Sequence, residues 1–188
     1  VVVWKASDGI SARSRRREGG RLGVTRGGCL RALARYRLAR GLRVDAASSR
    51  IGHAGRGIAA GSGLATTEMR IIMINVVDNA CRLAPAVTPS LYVDDLSAEC
   101  CGPPAFVRRS LSVFLLFVCE WLENVGMEVS RKKSVVMAAT LRLGQDIASD
   151  LSKFGLVHQR YVKSLGAGLG AGRRRNAAVA KVRLGGFK

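Results

Sequence analysis

Two apolar stretches of helical length, with short β-prone runs between and after them, organise the chain. The first, "LATTEMRIIMINVVDNACRLA" over 64–84, is long enough for several helical turns, and Ser62 or Thr66 can cap it. "PAVTP" at 85–89 ends it. "SLYVDDLSAE" over 90–99 reads as strand, tight turn, strand: a β-prone run, an acidic turn, then Leu96. "CGPP" breaks the chain again. "AFVRRSLSVFLLFVCEWLENV" over 105–125 predicts a buried amphipathic helix, with Pro104 in its first turn and Gly126 placed to end it. "MEVS" and "SVVMAA" read as strands around the basic link "RKK" at 131–133. "QDIASDLSKFG" over 145–155 reads as a short helix, and "QRYVKSLGAGLGAG" over 159–172 as a strand running into a flexible glycine loop. Helices alternating with antiparallel-type hairpins predict an α+β fold.

The ends follow another pattern. Residues 1–28, with "SARSRRREGGRLGVTRGG", show no apolar period and are expected to be poorly ordered. "CLRALARYRLARGLR" over 29–43 has the spacing of a basic helix, whose Arg face suits either phosphate or solvent. Turn-formers Asp45, Ser48, Ser49, Gly52 and Gly55 follow, then the Gly-rich turn "GIAAGSG" over 57–63. The tail from Arg173 is basic and reads as helical up to Gly185. The expected division is therefore 1–28, a folded domain over 29–170, and a basic tail over 171–188.

Charge sharpens this division. The chain of 188 residues carries a formal net charge of +18, and 48% of its residues are hydrophobic. That is enough apolar content for a core, with a charge that attracts polyanions, nucleic acid first among them. Residues 1–56 hold 14 basic and 3 acidic residues, 57–130 hold 4 and 8, and 131–188 hold 13 and 2. An acidic centre thus sits between two basic flanks. This is what a cation site within a polyanion-binding cleft would look like, and equally a core between two basic tails.

Several classes fall away. Five cysteines (Cys29, Cys81, Cys100, Cys101, Cys119) form no CxxC pair and give neither a disulfide framework nor a zinc site. That usage points to a reducing, intracellular location. The Arg run 173–175 raises a nuclear address or phosphate contact as further readings. Val1 to Val3 is too short for a signal peptide. The longest apolar run, Leu111 to Leu122, is broken by Ser112 and Glu120 and is too short to cross a bilayer. "GIAAGSG" lacks the Lys-Ser/Thr ending of a nucleotide-triphosphate loop, and "LGAGLGAG" misses the dinucleotide spacing. A chain that opens on Val rather than Met is expected to be a fragment.

The remaining chemistry is in the acidic turn. Adjacent Asp94 and Asp95 repel, and both ionise comfortably only beside a cation or strong donors. A turn can aim both at one locus, where Mg²⁺ accepts carboxylates and substrate phosphates together. Paired ions of that kind support nucleotidyl transfer.

"YVDD" between apolar strand residues resembles the active-site motif of reverse transcriptases, closest to those of non-LTR retrotransposons. The order of segments adds to the resemblance. "RGIAAGSGLATTEMRIIMINVVDNA" stands where that family has a Gly-rich turn and helix. "LENVGMEVSRKKSVVM" looks like its Gly-and-Lys segment, and "YVKSLGAGLG" like the hairpin after it. The resemblance implies a polymerase palm: an antiparallel sheet with packed helices, partial fingers before it and the start of a thumb after it. It implies Asp94 and Asp95 as ligands of Mg²⁺ or Mn²⁺, with Lys133 near the triphosphate as a candidate proton donor to pyrophosphate. It places Tyr92 near the primer end, Gly61 and Ser62 near template and nucleotide, and Arg173, Arg174 and Arg175 on the nucleic-acid backbone. The implied partners are an RNA template, a DNA primer and dNTPs. The family also supplies a metal-binding Asp on a strand upstream of the Gly-rich turn. Asp8 and Asp45 are the upstream candidates, and neither has the sequence setting of that motif. Ala59, Ala60 and Gly61 stand where the family often has Pro-Gln-Gly. Two expectations follow: an RNA-directed DNA polymerase (a nucleotidyltransferase), or a truncated or degenerate retroelement domain that binds nucleic acid without catalysis.

Overall fold

The computed structural model describes residues 2–5, 34, 38, 41, 43–45, 47–48, 50–51, 65–92, 94–127, 129–164 and 167–170. It mixes helices and strands. In chain order the strands are β1 (Val2–Lys5), β2 (Arg43–Val44), β3 (Ala47–Ser48), β4 (Thr88–Tyr92), β5 (Asp95–Glu99), β6 (Val135–Val136), β7 (Val157–His158), β8 (Tyr161–Ser164) and β9 (Ala167–Gly170). The helices are α1 (Ala65–Leu83), α2 (Pro104–Asn124) and α3 (Leu141–Asp150). The main sheet has the order β4-β5-β1-β6-β7. All its neighbours are antiparallel except β6 and β7. Among the described residues, and apart from the small β2–β3 ladder, the order of these elements is β1-α1-β4-β5-α2-β6, with β1 between β5 and β6. This is a split β-α-β arrangement.

The position of β1 corrects one expectation. Residues 1–28 were expected to lack order, yet Val2–Lys5 forms a central strand paired on both edges. A short continuous run of β-prone residues suits such a strand. Its partners lie far downstream, so the Arg- and Gly-rich sequence that follows it locally gave no sign of them. The sheet therefore starts before residue 29, the expected domain boundary. The expected basic helix over 29–43 falls almost wholly outside the described residues, although Ala34 is helical.

The helices exist because their apolar stripes find a common core. In α1, Met69, Ile72, Met73, Val76 and Ala80 recur on one face and are buried. In α2, Val107, Leu111, Phe114, Leu115, Val118 and Leu122 do the same. They share one cluster with Leu96 and Ala98 of β5, Val136 of β6, Ile147 of α3 and Phe154. Burying each large side chain is worth about 1.5–3 kcal/mol, several times any propensity term, so packing decides.

The ends are set by local chemistry. Pro103 precedes α2 and Pro104 opens it, where a missing N–H costs nothing. Gly126 at φ +80° takes the left-handed position after α2. Thr140 Oγ1 accepts from Leu143 N at 3.3 Å, so α3 begins at Leu141 rather than at the expected residue 145. Pro89 lies inside β4, which is tolerated because β4 is an edge strand.

Two strand expectations also change. Of "MEVS", Val129 is a bridge residue, and of "SVVMAA" the strand is limited to Val135–Val136. The amides of Lys133 and Ser134 both donate to Ser130 O (3.1 and 2.9 Å), coiling the link into a tight turn. β6 then pairs with β1 and β7 instead. The expected flexible glycine loop is in part a strand, because Ala167–Gly170 pairs with Tyr161–Ser164. Backbone ladders need no side chains, so glycines can complete one. No helix among the described residues is long and apolar enough to cross a membrane.

Candidate nucleic-acid interface

The β4–β5 hairpin has two unlike faces. The pairs Pro89↔Ala98 and Leu91↔Leu96 lie toward the helices, where Leu96 and Ala98 are core and Leu91 packs against them. The pairs Thr88↔Glu99, Ser90↔Ser97 and Tyr92↔Asp95 alternate onto the other face. Thr88, Ser90 and Tyr92 are exposed there, and Ser97 Oγ donates to Ser90 O at 3.4 Å. Because Tyr92 pairs with Asp95, two residues, Val93 and Asp94, make the connection. Tyr92 is 63% exposed on the edge strand, whereas Asp95, one strand inward, is 6% exposed. Asp94 is half-buried in the turn.

The next strand bears on the expected metal chemistry. β1 pairs with β5 in the register Val3↔Ser97 and Lys5↔Asp95. The position across from Asp95 is therefore a lysine. The resemblance would put a carboxylate on such an upstream strand. Asp8 lies outside the described residues, and Asp45 lies in the β2–β3 turn with φ +52°. On the far edge of β1, Val3 pairs with Val135. Lys133 is exposed in the turn before β6, at the same end of the sheet as Asp95. Tyr92, Asp94, Asp95 and Lys133 thus gather at one end of the sheet. Gly61, Ser62 and Arg173–Arg175 lie outside the described residues.

Two carboxylates suit a hard cation in type. A two-ion centre needs more, and among the described residues no group of three or more His, Cys, Asp or Glu could hold a metal. With lysine at the paired position, the residues described do not fit a two-ion site for Mg²⁺ or Mn²⁺.

A second polar cluster went unread in the sequence. Arg108 Nε and Nη2 donate to Asp150 Oδ2 and Oδ1 at 2.9 and 2.7 Å. Ser112 Oγ donates to Asp150 Oδ2 at 2.8 Å. The Arg108 hydrogen bonds hold the Asp150 carboxyl below its ordinary range and raise the guanidinium pKa further. Asp146 stands 3.9 Å from Arg108 Nη1. Beside this clamp an open cleft of 390 Å³ is lined by Pro104, Arg108, Arg142, Leu143 and Asp146, among others. The available signal was Arg108 and Ser112 at i, i+4 on one predicted helix, and Asp146 and Asp150 at the same spacing on the next.

The thiols of Cys81, Cys100, Cys101 and Cys119 are free. Burial, helped by Glu123 and Glu120, pushes the Cys119 thiol up to about 12, which leaves it inert at neutral pH. No protein-family model matches the chain, and no curated protein matches it.

Proposed function

We propose that this chain is a reverse-transcriptase-like palm domain, of non-LTR-retrotransposon type, that holds nucleic acid on the open face of the β4–β5 hairpin. In this reading its acidic pair does not by itself carry nucleotidyl transfer. One observation carries it: the "YVDD" hairpin is built into a sheet beside an upstream strand, with Tyr92 exposed next to Asp95 and lysine across from that aspartate. An exposed aromatic on an open sheet face is a platform on which a base can stack. The basic flanks supply charge for phosphates, and Lys133 stands at the same end of the sheet. The polymerase reading shares this fold and differs in needing a further carboxylate.

Fluorescence anisotropy with labelled single-stranded RNA and with an RNA-template/DNA-primer duplex tests the reading, together with primer extension in Mg²⁺ or Mn²⁺. Binding is expected to weaken steeply as salt rises, because phosphate contacts release counterions. Tyr92→Ala should weaken it further, by roughly 5- to 100-fold if a base stacks there. No extension is expected. Absence of binding at low salt would remove the nucleic-acid reading. Extension that vanishes in Asp94→Asn would restore the polymerase.

A further inference from the structure

Strand β5 hands over to helix α2 through Cys100, Cys101, Gly102 and Pro103. Both thiols are free. Cys100 is half-buried against the core, whereas Cys101 is exposed. Cys100 Sγ donates to Cys101 O at 4.0 Å, so it is turned along the chain toward its neighbour. The backbone after the pair is constrained, with Gly102 at φ +147° and then Pro103 and Pro104. Two adjacent thiols bond to each other poorly. Across their trans peptide the Cα atoms stand about 3.8 Å apart, whereas a disulfide wants about 4.4–6.8 Å. An S–S bond there is strained and easily reduced. A soft ligand atom set between the sulfurs relieves this, because a thiolate–metal bond is about 2.3 Å long, against about 2.0 Å for S–S. Among the described residues no group of three or more His, Cys, Asp or Glu could hold a metal. An ion that demands four ligands is poorly served by the pair, and an acceptor that needs only two sulfurs is served in full.

We propose that Cys100 and Cys101 form a bidentate site for a monosubstituted trivalent arsenical, whose two open valences match two neighbouring sulfurs, rather than a disulfide with each other. With an arsine oxide, the two S–H bonds and the As=O bond break, two As–S bonds form, and one water leaves. Arsenic stays trivalent and no electron is transferred. The setting of Cys100 suits this exchange. Burial first, and then the neighbouring Cys101, push its thiol up against the opposing hydrogen bond with Ser110, so it keeps the proton that departs in the water. The site lies at the joint between the hairpin strand and α2, and it is independent of the nucleic-acid reading.

Intact-mass spectrometry of the full chain treated with phenylarsine oxide is the test. The parent is expected to take up a single phenylarsenic group, to keep it against excess glutathione, a monothiol, and to release it to dithiothreitol. Cys100→Ser and Cys101→Ser should each hold the group on the order of 100-fold more weakly, because the second As–S bond gains from a high effective concentration. Cys101 is exposed, so its substitution leaves the core untouched and serves if Cys100→Ser fails to fold. Cys29→Ser and Cys81→Ser should retain the group as the parent does. No uptake by the parent overturns the proposal, and so does parental retention in Cys101→Ser. Loss of retention in a folded Cys29→Ser or Cys81→Ser variant would move the site elsewhere and overturn it as well. In a glutathione redox buffer at a cytosolic potential the pair should stay as two thiols. A stable Cys100–Cys101 disulfide there, located by peptide mapping, would equally defeat it.

Discussion

The α2–α3 junction and the β4–β5 hairpin each set an aspartate against a basic residue that is distant in sequence, to different ends. At the junction, Asp150 receives three hydrogen bonds, two from the Arg108 fork and one from Ser112. Its side chain is 26% exposed, and the bonds fasten one helix to the next. At the hairpin, Asp95 is nearly covered and belongs to a backbone ladder, with Lys5 set by register. It lies beside an exposed tyrosine at the end of an open sheet face. The first pairing locks two elements together. The second is a register position in a backbone ladder at the end of the sheet that bears the exposed Tyr92. An acid–base pair is thus a brace or part of a site according to what surrounds it, and the pairing itself does not tell which.

The largest expected effect concerns what the two regions share. Phe114 is fully buried in α2, the helix that carries Arg108 and packs in the same cluster as Leu96 of the hairpin. Phe114→Ala should cost about 3–5 kcal/mol in urea denaturation, with junction and hairpin signals melting together. Separate transitions would show that the two regions do not rest on one core. A smaller and more local effect is expected at α3. A Cβ on Gly144 would overlap His158 Cδ2, so the ring must move. His158 Nε2 is buried and has no hydrogen-bond partner among the described residues. Gly144→Ala should destabilise by roughly 1–3 kcal/mol. Adding His158→Ala should recover part of the loss while amide shifts of the hairpin stay unchanged. No recovery would place the strain elsewhere.

These two regions were not equally legible in the sequence. The hairpin was read from residues 90–99 alone, because alternation, turn length and motif are all local. The limits of α2 were equally local, written in Pro104 and Gly126. Lys5 was missed because register between strands separated by most of the domain leaves no trace in either strand. The fastening of Arg108 to Asp150 was missed for a related reason: helical spacing shows which residues share a face, not which face meets which. The approach of His158 to Gly144 left no sign either, since nothing near one residue in sequence announces the other. The sequence also placed a loop at Ala167–Gly170, where glycines made a poor strand by propensity and backbone pairing overrode that preference.

Acid should act on the α2–α3 junction. Because Arg108 holds Asp150 below the ordinary carboxylate range, the pair stabilises the fold at any pH above the unfolded carboxyl's pKa. That contribution fades as pH falls through the lower folded value, so acid rather than base releases the junction. Asp150→Asn should lower Tm by a few degrees at neutral pH and flatten the dependence of Tm on pH below about 4. The effect is modest because the clamp is partly solvated and screened by salt. A variant that kept the parent's full acid sensitivity would mean that another carboxylate governs it.

The smallest effect on stability, and the one that bears most directly on function, belongs to Tyr92. It is 63% exposed on an edge strand, so its ring contributes little to the core. Tyr92→Ala should change stability by no more than about 0.5 kcal/mol. Asp95 across the ladder should keep its amide shift, and the hairpin its register. If the open face serves polynucleotides, the same substitution must weaken oligonucleotide binding while leaving the salt dependence intact, since stacking and phosphate contact are separate contributions. Loss of salt dependence together with affinity would mean that the tyrosine positions the basic groups rather than a base. A Tyr92→Phe variant distinguishes the two. It keeps the ring face, so a stacking role predicts near-parental affinity, whereas a hydroxyl that orders neighbouring charges predicts the alanine result.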